Sequence, residues 1–309
     1  MKVGPLPAGS GAFVGIAQLV LSCFALSGLD SSAKWLLESG TLLLLVVWFR
    51  YVVHLILGLA IVVPAKGKQV LRSVHPRYQI LRGAFMLSAT MAGFTALSYL
   101  PQAQTTAIGF LAPLLVLAAA PWILKEPPRI SRWLAALAGF VGVLIVVRPG
   151  SGLSPIGTLF GLLTACLMAG QYTVNRLVYK DNAFTTLVWS GLVGSVTVSV
   201  ILIPLLPSVP DLVSTLSAGQ WLVLISTGFW GALGHLLQIQ AYRNAPASLL
   251  SPFFYSEILS AAILGWLIWG DMPDLASWLG IAIIVGSGLT ITLVEWRREH
   301  GGRQRAAPA

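Results

Sequence analysis

Ten predominantly apolar runs follow one another along the chain, at about 11–29, 41–63, 80–100, 103–124 and 132–148, then 155–176, 184–206, 218–241, 247–270 and 275–294. A helix that crosses hydrocarbon needs about 20 mostly apolar residues, so each run predicts one crossing. The stretch 83–124 carries no charge and is too long for a single crossing, and Pro101-Gln102 supplies its turn. The fifth run is the least marked, since within it only 133–147 is free of charge. Connecting segments are short, and 64–79 is the one substantial basic loop. The pattern predicts an all-α membrane protein of ten transmembrane helices.

The runs repeat. Tyr99 to Arg148 returns between Tyr242 and Trp296 as a Tyr, a polar turn, an apolar run, a charged corner, a Trp-Leu pair and a Gly-bearing apolar run. Trp133-Leu134 and Trp278-Leu279 lie 145 positions apart, as do Glu126 and Asp271, whereas the tyrosines lie 143 apart. Gly11-x-x-x-Gly15 and Gly157-x-x-x-Gly161 open the first and sixth runs at an offset of 146. Corner charge differs between the copies. The first holds Lys125, Glu126, Arg129 and Arg132, the second Asp271 and Asp274. A hairpin repeated with opposite corner charge predicts two five-helix repeats of inverted orientation. Residues 1–150 form the first repeat, 151–296 the second, and 297–309 a basic tail.

Lysines and arginines fix the orientation. With both termini inside, cytoplasmic segments collect Lys66, Lys68, Arg72, Arg77, Arg82, Lys125, Arg129 and Arg243, among others. The outer side keeps Lys34 and Arg148, and Arg50 falls within a run. Both termini are therefore expected to be cytoplasmic, in a multi-pass protein of the cell inner membrane.

Composition narrows the class. Of 309 residues 56% are hydrophobic and 9% charged, where a soluble domain has about a quarter charged. The net charge of +9 does not point to nucleic acid, because the basic residues sit between apolar runs and form no basic, aromatic-interleaved stretch. Cys23 and Cys166 both fall inside apolar runs, which argues against a structural disulfide or a metal site. The N-terminal run resembles a signal peptide in isolation, but no small-residue cleavage site closes it. It is read as the first crossing.

Together these features resemble the drug/metabolite transporter superfamily, in particular its EamA-type ten-helix members. The resemblance covers nearly the whole chain. Asp30-Ser31-Ser32-Ala33-Lys34-Trp35-Leu36, followed by Trp48-Phe49-Arg50-Tyr51 and His54, is similar to the branch holding bacterial riboflavin and S-adenosylmethionine importers. The resemblance implies a permease, monomer or homodimer, for a small-molecule substrate, with a cavity between its halves that opens alternately to each side. Amino-acid exporters share the fold, so the motifs speak for transport more than for substrate.

Glu257 is expected near the bilayer midplane, where a carboxylate must be paired, protonated or facing water. It is read as a substrate contact or proton-coupling group, or else as a structural hydrogen bond. Arg50 lies at comparable depth with His54 a turn further on, and it either grips an anionic substrate group or pairs with Glu257. Asp30 and Lys34, with Glu38 a turn beyond, form either a self-paired, solvated helix end or an outer gate. Polar seams at helical spacing comprise Thr164, Met168, Gln171 and Asn175, and Gly228, Gly231, His235, Gln238 and Tyr242. In lipid both must face protein or water. His235 and Gln238 are expected opposite Ser88 and Ala92, on a face that Thr95 shares. Tyr255, with Tyr51, Phe110 and Phe254, offers an aromatic wall suited to a flat substrate. Pro113 and Pro252 interrupt matching helices of the two halves.

A carrier is the favoured class, without cofactor. No Walker-type phosphate loop, His-Glu-x-x-His, Gly-x-Ser-x-Gly or Cys/His cluster occurs. This argues against direct ATP drive and against the rival class, a membrane-embedded enzyme.

Overall fold

The computed structural model describes residues 10–123, 130–147, 153–175, 177–178, 180–245 and 250–305. Among them the secondary structure is entirely helical: α1 Ser10–Glu38, α2 Leu43–Lys66, α3 Pro76–Leu97, α4 Gln102–Gly109, α5 Leu111–Ile123, α6 Ile130–Val147 and α7 Pro155–Asn175 come first. α8 Ala183–Leu202, α9 Val209–Ser214, α10 Ala218–Asn244, α11 Ser256–Trp269 and α12 Leu275–Arg305 follow. Short 3-10 turns occupy Lys68–Leu71, Ile203–Ser208 and Ser251–Tyr255.

Six of these helices are long and apolar enough to cross a membrane: α1, α2, α3, α7, α8 and α10. Shorter apolar stretches are Trp133–Val146, Phe253–Trp269 and Leu275–Ile291. The fourth run, expected as one crossing, is divided at Phe110 into α4 and α5. Pro113 gives the reason. It cannot donate to the carbonyl four residues back, at Gly109, and its ring crowds that carbonyl. The ninth run is interrupted in the same way, where Pro252 lies in the 3-10 turn before α11. The first helix continues past the expected limit of 29 to Glu38, which moves Asp30 from a helix end into a helix interior. Lys125, Glu126 and Arg129 lie outside the described residues.

The principal packing pairs are α1 with α10, α6 with α12, α3 with α7, α2 with α10 and α2 with α8. Each joins an element of residues 1–150 to one of 151–296, so the two halves interleave. Small residues allow it. A Cβ at Gly142 of α6 would lie 2.8 Å from the Gly280 carbonyl of α12, and one at Gly280 would lie 2.6 Å from the Gly142 carbonyl. Gly15 of α1 meets Ala241 of α10 and Ala245 just past its end, and Gly83 of α3 meets the Val193 side chain of α8. Dispersion between closely approaching backbones takes the place of a hydrophobic drive that lipid does not supply.

Gly142→Val is therefore expected to lower the thermal unfolding midpoint of the detergent-solubilised protein, by overpacking of roughly 1–3 kcal/mol. Gly286→Ala, on the same pair of helices with open space about it, is expected to leave the midpoint unchanged or raised. Equal midpoints for both variants would contradict the close α6–α12 approach.

Candidate functional site

Polar side chains converge where α2, α3, α7, α8 and α10 meet. A cavity of about 270 Å³ there is lined by His54, Arg82, Asn175, Ser190, His235 and Gln238, with Met86 and Ile239 among its apolar members. Arg82 enters from α3. Its Nε donates to Asn175 Oδ1 of α7 and its Nη1 to Ser190 Oγ of α8. The Ser190 hydroxyl donates onward to the Thr186 carbonyl at 2.6 Å. Among the described residues no carboxylate lies within 4.0 Å of Arg82. Its charge is met by neutral acceptors, and the unengaged edge of a planar guanidinium can bind a further acceptor.

Two imidazoles form the opposite wall. His54 of α2 and His235 of α10 stand edge to face, ring centroids 5.8 Å apart. The Nε2 of each is buried with no hydrogen-bond partner. A buried polar atom left unmatched is costly, and both of these belong to residues that line the cavity. Gly191 of α8 and Gly231 of α10 make room around the His54 ring.

A second polar group lies along α1. Ser31 Oγ donates to Gln102 Oε1 at 2.8 Å, and Gln102 Nε2 donates to the Ser27 carbonyl at 2.8 Å. The Ser27 and Ser260 hydroxyls bond at 2.5 Å, and Ser260 also donates to the Glu257 carbonyl at 3.0 Å. These bonds tie α1 to α4 and α11. Glu257 occupies the first turn of α11. The Glu257 carbonyl also accepts from Ser27 Oγ of α1 at 3.4 Å, so this first turn of α11 lies against α1.

At the end of the bundle where α1 and α11 finish, Lys34 is 4% exposed and donates to Asp271 Oδ2 at 3.2 Å. Glu38 lies 3.9 Å from it, and its ammonium sits 4.6 Å from the Trp269 ring. Trp269 Nε1 donates to Glu38 Oε2 at 2.5 Å, which completes a closed cluster across the two halves.

The EamA-like transporter family matches this chain twice, at residues 13–148 and 155–293. The chain belongs to that family. A protein named riboflavin transporter from Brucella anthropi is 26% identical over 298 residues, 94% of this chain and 100% of that one. One named S-adenosylmethionine uptake transporter from Rickettsia bellii is 29% identical over 285 residues, 91% of this chain and 94% of its own length. A riboflavin transporter from Vibrio cholerae is 29% identical over 245 residues, 77% of this chain and 78% of the other. A solved crystal structure, 19% identical, shares the fold with a TM-score of 0.62, covering 94% of this chain and 99% of that one. The protein is thus an EamA-like membrane transporter, a permease and not an enzyme.

Of the residues singled out from the sequence of this EamA-like transporter, the structure brings His54, His235, Gln238 and Asn175 to one cavity. Gln171 is buried on α7 one turn before Asn175. Tyr242 opens to the neighbouring mouth with 45% exposure. Arg50 does not pair with Glu257. It donates to Thr90 and lies 5.0 Å from the Tyr51 ring, and among the described residues no carboxylate is within 4.0 Å of it. Lys34 is not part of a solvated helix end, since it is buried and its 3.2 Å partner comes from the other half. His235 faces His54 of α2 and not Ser88 and Ala92, because α3 packs against α7 and α8 instead. Thr95 donates to its own helix at the Met91 carbonyl, 2.8 Å away. Tyr255 stacks on Phe110 at 5.1 Å and fills the gap above Gly288, so it does not line the cavity. Arg82 was missed by sequence reasoning, because a cation at the start of an apolar run looks like a loop residue. The burial expected of its neighbours on the α3 face was the available signal.

Asp181, in the loop before α8, accepts from Ser73 Oγ, from Gln79 Nε2 at 2.8 Å and from the Val74 amide at 2.7 Å. Partial burial raises its carboxyl, but these donors outweigh that and hold it below the usual carboxylate range. A depressed carboxyl contributes stability that is present above its unfolded value, about 3.9, and lost as pH falls through the folded value. Asp181→Asn is expected to unfold at a lower temperature than the parent at neutral pH. The difference should close as pH falls below about 4, and a gap independent of pH would contradict this role.

Proposed function

We propose that this EamA-like transporter is a multi-pass inner-membrane permease that takes up riboflavin by alternating access, with both termini cytoplasmic. The observation that carries the proposal is the cavity between the halves, where Arg82, Asn175, Gln238 and two unmatched imidazole nitrogens converge. An isoalloxazine ring with its ribityl chain is rich in carbonyl and hydroxyl acceptors, and its donors are one imide N–H and the chain hydroxyls. A guanidinium edge, amides and imidazoles complement it without requiring net charge on the solute. Relatives named riboflavin transporters support this substrate.

Ten crossings in two inverted repeats, 1–150 and 151–296, fit the double family match and the helix pairing. Exchanging halves by the sequence repeat turns the α1–α10 contact into the α7–α3 contact and maps α2–α8 and α6–α12 onto themselves. A two-fold relation has this property. In alternating access the Lys34–Asp271–Trp269 cluster serves as the outer gate, closed here while the polar cavity lies toward the opposite end. Glu257, in the first turn of α11, and Asp30, in the interior of α1, are the groups proposed for coupling.

S-adenosylmethionine is the second reading. Relatives carry that name.

Purified protein in liposomes is expected to accumulate labelled riboflavin, with unlabelled riboflavin competing better than S-adenosylmethionine or amino acids. The opposite order of competition would select the second reading, and no accumulation of either would refute uptake of both. Arg82→Gln is expected to raise the KM for the transported solute roughly tenfold or more, from loss of a charged hydrogen bond. Unchanged KM would remove Arg82 from the site.

A further inference from the structure

Where α2 and α10 end and α8 begins, a second cavity of about 380 Å³ is lined by Lys66, Asn182, Phe184, Ile239, Tyr242 and Arg243, among others. Lys66 Nζ lies 5.8 Å from the Phe184 ring centroid and the Arg243 guanidinium 5.7 Å from the same centroid. Two cations gathered at one ring repel each other. Among the described residues neither has a carboxylate within 4.0 Å. The nearest acid in sequence to this pocket, Asp181, is engaged by Ser73, Gln79 and the Val74 amide. The start of α8 adds its positive end, capped by Asn182, whose side chain accepts from the Phe184 amide at 3.0 Å.

The walls are of two kinds. Phe184 is buried and Ile239 half-buried, while Lys66, Tyr242 and Arg243 are exposed at the outside of the bundle. The opening is therefore apolar within and cationic at its rim, at the end of the molecule that also carries Lys68, Arg72 and Arg77. A soluble anion would satisfy the cations and leave the apolar wall bare. An amphiphile satisfies both.

We propose that this pocket seats an anionic phospholipid, its phosphate between Lys66 and Arg243 and the head of its acyl chain against Phe184 and Ile239. Basic pockets between helix ends recognise lipid phosphates in this manner. The site adjoins the central cavity through Ala183, Gln238 and Ile239, which line both. A lipid there braces the α8–α10 contact beside His235.

The test is thermal unfolding of the full chain in detergent with added phosphatidylglycerol, phosphatidylcholine or inorganic phosphate. Phosphatidylglycerol is expected to raise the midpoint, and the other two are not. Lys66→Gln with Arg243→Gln should leave the midpoint without lipid unchanged, since both side chains are exposed. It should weaken the apparent affinity for phosphatidylglycerol about thirtyfold. The control pair Lys68→Gln with Arg72→Gln should retain the response. An equal response in the two double variants, or no response in the parent, would overturn the site. Full stabilisation by inorganic phosphate alone would overturn the lipid as its occupant.

Discussion

A polar group within hydrocarbon has no water to bond, so it must find its partner inside the protein. That constraint shapes this molecule more than any other. Ser22 of α1 reaches the Gly234 carbonyl of α10 at 2.9 Å, Gln102 joins α1 at two points, and Trp48 of α2 bonds Ser199 of α8 at 2.8 Å. Each bond crosses from one helix to another, and those of Ser22 and Trp48 cross from one half of the chain to the other. The requirement is left unmet at the Nε2 atoms of His54 and His235, two residues that line the cavity.

The same constraint gives the interleaved halves their cohesion. Glycines at Gly142 and Gly280 bring α6 and α12 into backbone contact, and Gly194 admits the Tyr51 ring between α8 and α2. Close approach shortens the reach needed for serine and threonine hydroxyls to bridge helices. At one end the bundle is fastened by Lys34 and Asp271, and toward the other Arg82 is held by two neutral partners. One end carries a charge pair and the other a cation whose hydrogen-bond partners are neutral.

Much of the fold was legible in the sequence, because period and charge are local signals. The apolar runs became helices, Pro113 and Pro252 marked real interruptions, and the repeat of Trp133-Leu134 at Trp278-Leu279 led to the family. Half of the cavity was legible too, since His235, Gln238 and Asn175 lie on polar seams that cannot face lipid, and His54 follows Arg50 by a turn within an apolar run. What stayed hidden depends on contacts between distant segments. Lys34 and Asp271 are 237 positions apart, and no periodicity reveals that a lysine at the end of one run meets an acid of the opposite half. Arg82 was hidden because a charge next to an apolar run has two destinations, the headgroups or the interior, and only packing against Asn175 and Ser190 decides between them. Thr95 and Tyr255 shared the right depth but turned to their own helix and to Phe110, a matter of rotamer and neighbour that spacing does not encode.

The most direct test of a solute cavity between the halves is the accessibility of Met86, which lines it from α3. In a background with Cys23 and Cys166 replaced by Ala, Met86→Cys is expected to react with a water-soluble thiol reagent and to be protected by saturating riboflavin. Reaction confined to a lipid-soluble reagent, with no protection by any transported solute, would contradict the account.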